Sequence, residues 1–188
     1  MKMFNKADKV LRDIEKVANE RGSSLLPIIG VEKGNVLGEV VKKYQPKLIL
    51  EIGTLVGYSA ILMARHLKGK IISIDISSGN HEAAKANIER AGLSNKVELI
   101  VGDALEVIPT LGGPFDMVFI DARKEDYLKY LETAEPLMTE NAIVVADNVV
   151  KFKTGMKDFL EYVRNSGVYK SELHDFGFDG IEVSRRSK

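Results

Sequence analysis

The sequence predicts an α/β protein: a Rossmann-like, doubly wound, seven-stranded sheet, mostly parallel, with a C-terminal antiparallel β-hairpin and helices on both faces. Three observations predict it. Short apolar runs alternate with helix-spaced segments from residue 47 to residue 166. Those runs are apolar throughout, as strands are when helices cover both sides of a parallel sheet. The last two runs are joined by Phe176-Gly177-Phe178-Asp179-Gly180, which reads as a hairpin connection.

Taken in order, residues 2–20 carry Phe4, Ala7, Val10, Leu11, Ile14, Val17 and Ala18 at helical spacing, with a polar far side. This amphipathic helix packs either on its own domain or against a second copy. A loop from Arg21 to Gly34, containing Gly22, Pro27 and Gly30, leads into a helix over about 32–44 that ends before Pro46. Strands are expected over 47–52 (KLILEI), 70–76 (KIISIDI), 96–101 (KVELIV), 115–121 (FDMVFID) and 142–147 (AIVVAD). Helices are expected over 57–67, 79–91, 104–110, 125–136 and 153–166, and hairpin strands over 168–175 and 179–185. No repeat, low-complexity tract or linker divides the chain. One domain over 1–188 is expected, with helices and a covering loop in 1–45 and the core in 46–188.

Composition narrows the chemistry. Of 188 residues, 45% are hydrophobic and 29% charged, a balance that suits a folded core rather than disorder. With 27 basic and 27 acidic residues, nothing demands a polyanionic partner. Cysteine is absent, which excludes disulfides, thiolate zinc sites and cysteine nucleophiles. No apolar run approaches the roughly 20 residues that span a bilayer. The start, MKMFNKADKVLRDIEKV, lacks a signal-peptide apolar segment. A cytoplasmic protein with no membrane partner is expected.

In doubly wound sheets ligands sit beyond the carboxyl ends of the strands. After the first strand comes Glu51-Ile52-Gly53-Thr54-Leu55-Val56-Gly57-Tyr58-Ser59. Its glycines allow a tight turn and close approach of a ligand, and the dinucleotide GxG start is missing. Asp75 ends the second strand about 20 residues on, where a carboxylate accepts ribose hydroxyls or caps a helix. Gly102-Asp103-Ala104 follows the third strand, and Asp103 is also placed to cap the next helix. Asp121 ends the fourth strand and Asp147-Asn148 the fifth. These oxygen donors, with no His or Cys beside them, favour a hard cation, Mg²⁺ first. The other reading of both aspartates is helix capping. Lys124 lies three residues past Asp121, as a general base or as a solvated lysine. Glu182, in the last strand, faces either the pocket or solvent.

The combination KGNVLGEVVKKYQPKLILEIGTLVGYSAILMARHL, VGDALEVIP, MVFIDARKEDY, ADNVV and DGIEV resembles the metal-dependent catechol and caffeoyl-CoA O-methyltransferase family, from about Lys33 to Glu182. The resemblance implies S-adenosylmethionine as methyl donor, in contact with Glu51, Gly53, Thr54, Gly57, Tyr58, Ser59, Asp75, Gly102, Asp103, Ala104 and Asp121. It implies metal ligation by Asp121, Asp147 and Asn148, with Lys124 and Asp121 catalytic. The acceptor, a small molecule with vicinal hydroxyls, would meet Lys124, Asn148 and Glu182. Tryptophan is absent and Ala122-Arg123 stands where the animal catechol enzyme has His-Trp, leaving Phe152 or Tyr127 as the aromatic wall. Small relatives also imply a homodimer. Two other readings remain: methylation of a hydroxylated tRNA nucleoside, with Lys151, Lys153, Lys157 and Arg185-Arg186-Ser187-Lys188 as a basic rim, and an NAD-dependent oxidoreductase, which the missing GxG disfavours.

Overall fold

Strand alternation decides which side chains reach the site. The computed structural model describes residues 6–22 and 25–187. Its strands are β1 (Leu48–Ile52), β2 (Lys70–Asp75), β3 (Val97–Val101), β4 (Phe115–Ile120), β5 (Met138–Asp147), β6 (Tyr169–Asp175) and β7 (Gly180–Arg186). Its helices are α1 (Lys6–Arg21), α2 (Val31–Tyr44), α3 (Tyr58–Ala64), α4 (Ser78–Ala91), α5 (Ala104–Val107), α6 (Tyr127–Ala134) and α7 (Lys157–Asn165). Phe4 and Lys188, named above, lie outside the described residues.

The strands form one sheet in the order β3-β2-β1-β4-β5-β7-β6. β1 to β5 run parallel, and β7 runs antiparallel to both β5 and β6. This is the predicted seven-stranded architecture with its terminal hairpin. Two boundaries differ by four residues, more than the rest. β5 begins at Met138, before the expected Ala142, and the last helix begins only at Lys157 because 149–156 forms turns.

Successive side chains point to opposite faces of a strand. Ile49, Ile71, Met117, Phe119 and Val145 therefore pack with α1 to α4, and Leu50, Ile74, Val118, Val144 and Ala146 with α5 to α7. The amphipathic N-terminal helix belongs to the first layer. Ala7, Val10, Leu11 and Ile14 are buried, while Asp8 pairs with Arg65 at 2.9 Å and Asp13 with Arg90 at 2.5 Å. Its apolar face is thus spent within this chain. Among the described residues no helix is long and apolar enough to cross a membrane.

The same alternation aims the acidic residues. Glu51 and Ser73 share the parity of Ile49 and Ile71, so they lie under α3. Asp147 continues the parity of Val145, toward α2. Glu182 pairs in register with Ala146 and so points to the other face.

Candidate functional site

A cleft of about 1180 Å³ opens where the parallel strands end, lined by residues from every turn that follows β1 to β5. Gly53, Thr54, Tyr58, Ser59, Asp75, Gly102, Asp103, Ala104, Asp121, Lys124, Asp147 and Asn148 all line it. Glu51, Gly57 and Glu182 do not.

The β1 turn is shaped by close approach. Gly53 has φ +100, and a Cβ there would sit 2.1 Å from the Asp121 carbonyl oxygen, so only glycine fits. The turn is tied down by Asp75, whose Oδ2 accepts from the backbone N–H of Thr54 (3.1 Å) and of Leu55 (2.8 Å). Its Oδ1 accepts from the Ser77 N–H and the Asn80 amide. Asn80 also lines the cleft, a residue that sequence reasoning missed. Asp103 accepts from Leu105 N–H at 2.9 Å and caps α5 while lining the cleft, so both expected placements coexist.

Glu51 corrects one expectation. It is fully buried behind the turn and accepts hydrogen bonds from Ser59 (2.5 Å) and Ser73. It supports the wall rather than forming it. Gly57 is likewise structural: its φ is +80 and a Cβ would press on Ala84 of α4 at 3.2 Å.

Burial pushes Glu51 up to about 7, against the pull of the Ser59 and Ser73 hydroxyls and with help from Asp121 and Asp75. A carboxyl raised in the fold favours folding fully below its unfolded pKa, and that advantage is lost as pH rises through about 7. Glu51→Gln keeps the hydroxyl contacts without the charge. The variant should gain about 3 kcal/mol over the parent at pH 8 and almost nothing at pH 4.5. Urea unfolding of both chains across that range checks the difference, and parallel curves would refute it.

The other half of the cleft gathers charge. Lys124 donates to Asp121 Oδ1 and to the Tyr127 hydroxyl, each at 2.9 Å, and Tyr127 donates to the Asp147 carbonyl at 3.2 Å. Tyr127 is fully buried beneath the site and packs edge-on against Phe159, so it is no aromatic wall. Phe152, 41% exposed and lining the cleft, is placed to be one. Phe178 joins it from the hairpin turn, 63% exposed.

Lys33 of α2 lines the same cleft. Its Nζ lies 2.7 Å from Asp147 Oδ1, 2.9 Å from Asp147 Oδ2 and 2.7 Å from Asp179 Oδ2. Burial opposes its charge, yet the two carboxylates outweigh that and raise its pKa. Burial, and then the neighbouring Asp121 charge, push Asp147 up despite Lys33. Three carboxylates thus crowd against two lysines. Neither Lys33 nor Asp179 was picked out from the sequence. A signal existed: a lysine in the first turn of a helix opposes the helix dipole and needs an acidic partner.

The side chains fit a hard cation. Asp147 Oδ1 is buried, and its charge is met by the Lys33 ammonium at 2.7 Å, with which a cation there would share it. Asn148 holds a left-handed backbone, φ 64, a conformation asparagine adopts more readily than most residues. Among the described residues no three His, Cys, Asp or Glu side chains form a metal cage. The expected donors, Asp121, Asp147 and Asn148, would offer two carboxylates and one amide.

Glu182 is the second correction. It is 1% exposed and lies on the opposite face of the sheet, where Arg164 of α7 donates to both its oxygens at 2.9 and 2.7 Å. Three residues earlier, Asp179 is the acidic group that the hairpin brings to the cleft.

The reversed β7 between β5 and β6, with a cleft at the parallel strand ends, defines the class I methyltransferase fold. The chain belongs to the O-methyltransferase family, whose model matches residues 2–159. It is 41% identical over 131 residues to a catechol O-methyltransferase of Mycobacterium tuberculosis, covering 67% of this chain and 60% of that protein. A catechol O-methyltransferase of Niastella koreensis is 39% identical over 141 residues, covering 71% and 64%. The chain therefore spans under two thirds of the length of these two relatives. Solved structures match more completely. An O-methyltransferase from Bacillus cereus in complex with SAH superposes with TM-score 0.83 at 29% identity, covering 96% of this chain and 91% of that one. TomG from Streptomyces achromogenes, an O-methyltransferase of tomaymycin synthesis in complex with SAM, gives 0.85 at 30% identity, covering 99% and 93%.

Proposed function

We propose that this protein transfers the methyl group of S-adenosylmethionine to one hydroxyl of a catechol-like vicinal diol, with a divalent cation, Mg²⁺ first, held by Asp121, Asp147 and Asn148. The observation that carries the reading is the convergence of Asp121, Asp147 and Asn148, from the ends of the neighbouring strands β4 and β5, on one cleft. The donor would lie along the Gly53–Ser59 turn, Asp75 and Gly102–Ala104. The family and the SAM- and SAH-bound neighbours support that half.

A bound cation would supply Lewis acidity, lowering the pKa of the acceptor hydroxyl. Lys124, as the neutral amine, takes the hydroxyl proton on the Nζ lone pair and becomes the ammonium. The freed oxygen pair forms the O–CH₃ bond as the S–CH₃ bond breaks, its electrons returning to sulfur to leave S-adenosylhomocysteine. Holding the two reactants in line contributes most of the rate. Phe152 and Phe178 would flank the acceptor ring and exclude water from the reacting atoms.

Purified protein given SAM with catechol, a dihydroxycinnamate or tRNA tests this. Methylated diol is expected, abolished by EDTA and restored by Mg²⁺. Undiminished transfer in EDTA would remove the cation from the reading, and methylation of tRNA alone would replace the diol.

A further inference from the structure

We propose that Asp179, seated by Lys33, is a positioning residue for the divalent cation: it fixes the Asn148 amide with its oxygen turned to the cation position. The inference rests on the reading that Asp121, Asp147 and Asn148 take that cation.

An amide presents a donor on one side and an acceptor on the other. Asn148 Nδ2 lies 2.6 Å from Asp179 Oδ2. Only the NH₂ side can meet a carboxylate at that distance, since the flipped amide would set oxygen against oxygen. The Asn148 oxygen is thereby committed to the opposite direction. Asp179 itself has no freedom to release it. Its Oδ2 also accepts from Lys33 Nζ at 2.7 Å, and its Oδ1 accepts from the Lys151 backbone N–H at 3.0 Å. The residue is 3% exposed, and its carbonyl accepts from Phe176 N–H to close the hairpin turn.

Lys33 completes the arrangement. At 5% exposure it is clamped between Asp147 and Asp179, so one ammonium joins the start of α2, the end of β5 and the β6–β7 turn. It holds the Asp147 carboxylate on one side and offsets the repulsion between that carboxylate and Asp179. Removing the Asp179 charge has two consequences. The amide loses its anchor and is free to rotate, and Lys33 is left to engage Asp147 alone, in competition with the cation.

Residues that orient metal ligands in this way typically change metal affinity by about 10–100-fold. The test is Mn²⁺ binding to the full chain, read from the free-Mn²⁺ resonance in electron paramagnetic spectra, beside calorimetry with S-adenosylhomocysteine. Asp179→Asn should raise the Kd for Mn²⁺ at least tenfold while the Kd for S-adenosylhomocysteine stays within twofold. General damage to the fold would move both. Equal Mn²⁺ affinity in parent and variant overturns the inference and leaves the parent reading intact. A parent chain that binds no Mn²⁺ overturns both. If Asp179→Asn does not fold, NMR of the unaltered chain decides: the Asn148 side-chain NH₂ should exchange slowly with and without Mg²⁺, and fast exchange in the Mg²⁺ state overturns the inference.

Discussion

Lys124→Met is expected to lower kcat for diol methylation by about 10²–10⁴-fold, the range a positioned general base contributes. Methionine keeps an unbranched stem of similar length and removes the nitrogen. In the neutral amine, the form able to accept a proton, both N–H donors are taken up by Asp121 Oδ1 and the Tyr127 hydroxyl, each at 2.9 Å. The nitrogen lone pair is then left for the hydroxyl proton of a substrate in the cleft that Lys124 lines. Tyr127 restrains the nitrogen from below, because its own hydroxyl is bound to the Asp147 carbonyl. The base is thus tethered to both strands that would hold the cation. Single-turnover kinetics at saturating SAM, with S-adenosylhomocysteine affinity as the control, provide the measurement. A kcat within threefold of the parent would take the proton-accepting role away from Lys124.

The second large effect concerns stability alone. Arg164→Met should cost about 2–3 kcal/mol, because it strands the Glu182 carboxylate, 1% exposed, without its bidentate partner. Arg164 itself is 38% exposed, so solvent screens part of the loss and the cost falls below that of a fully buried pair. For a chain of this size the melting temperature should fall by roughly 5–10 °C. Arg164→Met combined with Glu182→Leu removes the stranded charge and should recover most of that loss. Neither change should alter kcat/KM for a diol more than about twofold. A Glu182→Gln variant that folds, binds S-adenosylhomocysteine and yet loses diol turnover would return Glu182 to the acceptor.

Most of the architecture was legible because it rests on local patterns. Apolar runs such as Lys47–Ile52 and Ala142–Asp147 admit one period, and the acidic residues closing them fall at strand ends whatever the packing. Asp75, Asp103, Asp121 and Asp147 all line one cleft for that reason. What stayed hidden depended on facing and on distant partners. Glu51 ends an apolar run as Asp75 does, but it precedes the turn by one residue and is sealed behind Ser59 and Ser73. Glu182 sits one step out of phase with Asp147 across the β5–β7 pairing, a shift that only the register reveals. Lys33 reads as an ordinary helix-surface lysine until Asp147 and Asp179, more than a hundred positions away, are brought beside it. Tyr127 looked suited to a rim and instead supports the floor, because helix periodicity does not say how deep a face lies.

The reversed direction of β7 has an evolutionary corollary. Parallel strands present their final residues to the cleft, whereas β7 enters the sheet there, so the connection before Gly180 borders the cleft. Insertions into that connection would add bulk above the acceptor without disturbing the five strands or the glycine bend. On the proposed function, selectivity for one acceptor over another would drift by lengthening or trimming this short link, while the turns after β1 to β3 stayed as they are.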